Sequence, residues 1–169
     1  MSTQTIDQNA FVEALGTLIR EAYIGPDNPN ATWFADNEAD CGISGILDRV
    51  DAEQASRVIG YPDGASIASH ANHIRFALNL VNRAVQGEDA HAKADWSSSW
   101  KTVSVSESEW SELKDAVKRE FDSLIATLAP GPQWDDRMML NGAMGVVAHG
   151  AWHLGALRQL VALVSDERR

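Results

Sequence analysis

The stretch Ala148-His149-Gly150-Ala151-Trp152-His153-Leu154-Gly155-Ala156-Leu157-Arg158-Gln159 lies within a helical run from about Asp136 to Ser165. Its two histidines are four residues apart. Four residues turn a helix by about 400°, so the rings project about 40° apart and one turn apart. Two imidazoles so placed can bind one metal ion, as in HExxH metalloproteases, but here Gly150 occupies the glutamate position of that motif. Val146, Val147, Ala151, Leu154, Leu157, Leu160, Val161 and Val164 spread over more than one face of this helix. A helix that apolar is expected to be buried, with its histidines at least partly inside a bundle. Buried imidazoles need partners, and a metal is one.

Three more helices are legible upstream. The first runs from about Asp7 to Ile24 on the period of Phe11, Leu15, Leu18, Ile19, Ala22 and Tyr23, and Gly25-Pro26 stops it. The second starts at the cap Ser66 and runs to about Gln86, with Ile67, Ala71, Ile74, Leu78, Val81 and Val85 on one face. The third runs from about Ser106 to Ala129 behind the capping box Ser106/Glu109, and Pro130-Gly131-Pro132 ends it. Between the first two helices, Asp51-Ala52-Glu53-Gln54 predicts a short capped helix and Tyr61-Pro62-Asp63-Gly64 a turn. The short break after the third helix makes the last two antiparallel neighbours. The linker of residues 87–106 reaches more than about 60 Å at about 3.3 Å per residue. It can therefore cross a helix of about 30 Å and let helices two and three run parallel.

His70 and His73 lie three residues apart on the second helix, at or within its apolar arc. A third imidazole from that helix makes a three-nitrogen site with positions left open, the pattern of catalytic metal centres. If His70 also ligates, the site is closed and suits structural or storage binding. His91, in a polar linker, reads as a surface residue. Trp33, Trp96, Trp100, Trp110, Trp134 and Trp152 read chiefly as packing residues. Trp152 points about 100° away from each flanking histidine, toward helix packing or a subunit interface. Gly142, Gly145, Gly150 and Gly155 read as points of close helix approach.

Composition bounds the function. Of the 169 residues 44% are apolar and 22% charged, enough for one domain with a sizeable core. A formal net charge of −10 without a basic run argues against nucleic acid as a partner. No apolar stretch reaches the roughly 20 residues of a membrane span. The start, MSTQTIDQNAF, has no basic region followed by an apolar run, so the expected location is cytoplasmic. The single cysteine, Cys41, predicts no internal disulfide.

These residues together resemble the DinB/YfiT-like superfamily of damage-inducible four-helix bundles. Ser66-Ile67-Ala68-Ser69-His70-Ala71-Asn72-His73-Ile74 is similar to the start of that family's second helix, where a Ser or Thr precedes the ligand histidine by seven residues, which selects His73 over His70. The 148–159 stretch is similar to its fourth-helix signature, HxxxH followed by Gly and Arg-Gln. Asp95-Trp96 through Trp100, and Glu109-Trp110-Ser111-Glu112-Leu113, resemble the linker and third-helix start of some subfamilies. Residues 25–65 make a longer connection than is usual in the family.

The resemblance implies one all-α domain over residues 1–169, an up-down-down-up four-helix bundle. It implies a divalent metal, zinc or nickel, on His73, His149 and His153, with His70 as a fourth ligand or as a neighbour orienting His73 or a bound water. Several relatives use low-molecular-weight thiols such as mycothiol or bacillithiol in transfer or isomerisation reactions. The expected function is thus a metal-dependent thiol-cofactor transferase acting on a small molecule. The alternatives are a metal-dependent hydrolase and a non-catalytic, metal-stabilised stress or partner-binding bundle. Asp36, Glu38, Asp40 and Asp51 are the candidate general bases. The apolar last helix also fits a homodimer.

Overall fold

The computed structural model describes residues 7–60, 64–128 and 136–166. The described residues are all-helical, with no strand: α1 (Gln8–Tyr23), α2 (Ile43–Asp48), α3 (Ala52–Ala55), α4 (Ile67–Val85), a 3₁₀ turn (Ser98–Trp100), α5 (Glu107–Leu128) and α6 (Arg137–Asp166). The expected turn at residues 61–64, the break at 130–132 and Trp134 fall wholly or largely outside them.

Local side-chain chemistry sets the helix ends. Asp7 caps α1 by accepting from the Asn9 amide. Gly25 closes it at φ +128°, a left-handed conformation that glycine adopts without a Cβ penalty. Ser66 and Ser69 form a reciprocal capping box at the start of α4, and Asp51 and Gln54 do the same for α3. At α5 the Ser106 amide donates to Glu109 at 2.8 Å and the Glu109 amide donates back to Ser106 Oγ at 3.3 Å.

Four long helices share one core, in which Leu15, Ile19, Ile74, Leu78, Val117, Phe121, Leu154 and Leu157 are buried together. Each such side chain contributes about 1.5–3 kcal/mol by leaving water. α4 packs against α5 and α6, and α1 against α6 and α5. Helix α6 is not buried all round, contrary to its composition: Met138 is 77% and Trp152 60% exposed, and Met144 and Leu163 also face solvent. The fully buried apolar stripe of α6 is Val146, Leu154, Leu157 and Val164, and Leu140, Ala143, Val147, Leu160 and Val161 pack against the core from its edges. The α6 glycines divide in the same way. A Cβ on Gly150 would press on Tyr23 and Ala22 of α1, so this glycine sets a close approach, whereas Gly142, Gly145 and Gly155 face open space.

The long first connection is folded onto the bundle. Helix α2, unanticipated from the sequence, buries Ile43, Ile46 and Leu47 and packs against α5 and α6. Glu21, itself buried in α1, accepts from the amides of Trp33, Phe34 and Ala35 through one carboxylate oxygen at 2.7–2.8 Å. Arg158 of α6 donates to the Cys41 carbonyl at 3.1 Å and pairs with Asp36 at 3.1 Å. Trp110 of α5, 2% exposed, donates its indole N–H to the Val50 carbonyl at 2.9 Å.

Candidate metal centre

Helix α4 carries His70 and His73 in its second turn, and α6 carries His149 and His153 on consecutive turns. Packing of α4 against α6 brings three of these rings to one point. His73 Nε2 lies 3.1 Å from His149 Nε2, and His153 Nε2 lies 3.1 Å from the same atom. One ligand nitrogen from each of the three falls within 4.8 Å of the others. Nitrogens bound at about 2.0–2.1 Å to a common ion are separated by about 3 Å, which two of the three spacings match, and the third pair lies within 4.8 Å, so the group could hold a single cation. His153 is fully buried, His73 is buried and His149 is half-buried.

The hydrogen bonds behind the rings fix which nitrogens are free. Ser99 Oγ lies 2.6 Å from the Trp96 carbonyl, which can only accept, so the single hydroxyl proton goes there. Ser99 Oγ is also 2.7 Å from His73 Nδ1 and must accept at that contact. His73 therefore carries its proton on Nδ1 and turns the bare lone pair of Nε2 toward His149. His149 Nε2 has one in-plane site, a hydrogen or a lone pair, so it can make a hydrogen bond to only one of its two neighbours, whereas a cation between the three would engage all of them.

His70 is not a fourth ligand through its Nδ1. That atom sits 2.9 Å from His153 Nδ1 rather than joining the three converging nitrogens. With His153 Nε2 as a ligand, its Nδ1–H donates to His70. His70 thus orients His153 and not His73, and the partner of His73 is Ser99. The sequence pattern did not single out Ser99, because its contact depends on the 3₁₀ turn of the linker.

Burial keeps these rings neutral, the form that ligates. It pushes His70 down to about 4 and lowers His149. Burial, followed by the His149 and His70 rings, pushes His73 down to about 4. Burial, followed by His149, His70 and His73, takes His153 to about 2.

Three tryptophans surround the cluster. Trp100 stacks on His73 with ring centres 4.1 Å apart, Trp96 lies 5.8 Å from His73, and Trp152 meets His153 edge-on at 4.6 Å. The acidic candidates stand elsewhere: Asp36 pairs with Arg158, Asp51 caps α3, and among the described residues the cluster contains no carboxylate.

No family model, curated protein or solved structure matches the chain. The described residues are all-helical, and three imidazoles from two of the helices lie close enough to hold one metal ion.

Ser99→Ala removes the acceptor that holds His73 in its ligating tautomer. The expected result is about a 10–100-fold weaker zinc affinity, read by competition with a chromophoric chelator, with helix content unchanged. An affinity equal to that of wild type would show that the ring needs no such anchor.

Proposed function

We propose that this protein is a DinB/YfiT-like metal protein of the cytoplasm in which His73, His149 and His153 hold zinc or nickel, and that it transfers a low-molecular-weight thiol to a small electrophile. The observation that carries this reading is the convergence of three imidazole Nε2 atoms, backed by Ser99 behind His73 and by His70 behind His153. An up-down-down-up path of the long helices belongs to the proposal. It is supported by Asn79 and Asn82 of α4 meeting Glu120 of α5, and by Ala22 and Tyr23 of α1 meeting Gly150 of α6. Its homodimer is supported by exposed Met138, Met144, Trp152 and Leu163 on α6.

A divalent ion on three neutral imidazoles keeps its full charge and lowers the pKa of a thiol or water that binds it. The protein's own part is positional. Ser99 and His70 hold the ring tautomers, Trp100 fixes the plane of His73, and the buried setting strengthens every electrostatic contact. Three ligands rather than four favour an open site over the closed, purely structural alternative.

The test is a thiol panel. Zinc- or nickel-loaded protein is given mycothiol, bacillithiol or glutathione with an electrophilic substrate, and consumption of the electrophile is followed. Turnover is expected with at least one thiol and is expected to vanish in His149→Ala. Absence of thiol-dependent turnover, together with no thiol-to-nickel charge-transfer absorption, would sink the transferase reading.

A further inference from the structure

Two neighbouring residues of α4 grip one residue of the linker. Asn72 and His73 are consecutive, so their side chains leave the helix about 100° apart and reach Ser99 from two sides. His73 Nδ1 meets the Ser99 hydroxyl oxygen at 2.7 Å, and the Asn72 side-chain amide donates to the Ser99 carbonyl at 2.8 Å. Ser99 itself is 2% exposed. The turn that carries it has weak bonds of its own. It is a three-residue 3₁₀ segment, a geometry with poor hydrogen bonds, and its Trp100 amide lies 3.4 Å from the Ser97 carbonyl. Its seat against the bundle therefore depends on what α4 offers.

The Asn72 amide can point only one way. Its oxygen accepts from Arg75 Nε and Nη2, both at 3.2 Å, one turn further along α4. The reverse orientation would set its NH2 group against the guanidinium and its oxygen against the Ser99 carbonyl, donor on donor and acceptor on acceptor. The guanidinium also polarises the amide, which strengthens the bond that the NH2 group makes to Ser99. Arg75 thus acts on Asn72, Asn72 on Ser99, and Ser99 on His73. The same turn carries Trp100, whose ring centre lies 4.1 Å from that of His73.

We propose that Asn72, aimed by Arg75, is a positioning residue of the histidine cluster: it seats Ser99, and Ser99 holds His73 as the Nδ1–H tautomer with Nε2 bare. The tautomer rests on these hydrogen bonds alone, and its use in binding a cation rests on the proposed function. Without the Asn72 amide the turn is released from α4 and His73 Nδ1 loses its fixed acceptor, so the single ring proton can occupy either nitrogen.

The test reads the tautomer and the metal separately, in the full-length protein. Long-range ¹H–¹⁵N correlation spectra of the metal-free, histidine-labelled protein at neutral pH report which ring nitrogen carries the proton. Wild type should show His73 as the Nδ1–H tautomer alone. Asn72→Ala should show both tautomers and bind zinc at least about tenfold more weakly, by competition with a chromophoric chelator. Asn72→Asp has nearly the same size but offers no N–H. It should behave like the alanine variant, and it stands in should that one not fold. Arg75→Met should mix the tautomers to a smaller extent, and no mixing there removes Arg75 from the proposal. Trp110→Phe weakens the core from another helix and should lower the melting midpoint without mixing the His73 tautomers. A single Nδ1–H tautomer in folded Asn72→Ala or Asn72→Asp overturns the proposal, as does equal mixing in Trp110→Phe or an Nε2–H tautomer in wild type. Mixed tautomers in the Asn72 variants of a protein that binds no zinc overturn the metal reading and leave the positioning assignment standing.

Discussion

His149→Ala, His73→Ala and His153→Ala should each reduce bound zinc or nickel from about one equivalent per chain to background in elemental analysis of purified protein. His149→Ala is the most informative of the three, because the ring is only half-buried and its loss leaves the core packing nearly intact. His153 is fully buried, so truncating it also opens a void. A ligand that binds the native state stabilises it by about 4 kcal/mol when present at a thousand times its dissociation constant. Zinc should therefore raise the denaturation midpoint of wild type and leave that of His149→Ala where it was. Equal metal content in wild type and all three variants would dismantle the site. The effect should be all-or-none because the rings come from two helices: each alone offers one or two nitrogens, and a third is needed to hold the ion in a fixed geometry.

Trp110→Ala should produce the largest loss of stability, about 3–5 kcal/mol, as expected for removing a buried tryptophan. In a chain of this size that lowers the melting midpoint by roughly 10 °C. The residue fills the junction between α5 and the first connection, and its indole N–H satisfies the Val50 carbonyl. Trp110→Phe separates the two contributions: it keeps most of the apolar contact and strands the carbonyl, at about 1–3 kcal/mol. A loss under about 1 kcal/mol for Trp110→Ala, by chemical denaturation, would mean that the connection packs independently of this side chain.

The long helices were legible because period and caps agree along the chain. Ser66, Asp51 with Gln54, and Ser106 with Glu109 each declare a start that the hydrogen bonds bear out. Helix α2 gave no such signal: it has six residues, too few for a period, and begins at Gly42 without a side-chain cap. The apolar richness of α6 reported its composition but not its surroundings, so exposed Met138 and Trp152 could not be told from core residues. The histidine pairs were visible from spacing alone, since i, i+4 rings share a face wherever the helix goes. Ser99 and the pairing of His70 with His153 were not visible, because they depend on how separate segments meet in space. His91 was read as a surface residue and is exposed.

The Glu21 carboxylate has a further effect on the loop it holds. Three successive amides of that loop end on one oxygen of the preceding helix, so releasing them leaves the buried carboxylate without those partners. Opening of residues 33–35 should therefore be coupled to exposure of Glu21 in α1. Their amide protons are expected to exchange as slowly as those of a core element, although the segment has no regular secondary structure, and hydrogen exchange at the rate of an open loop would refute this.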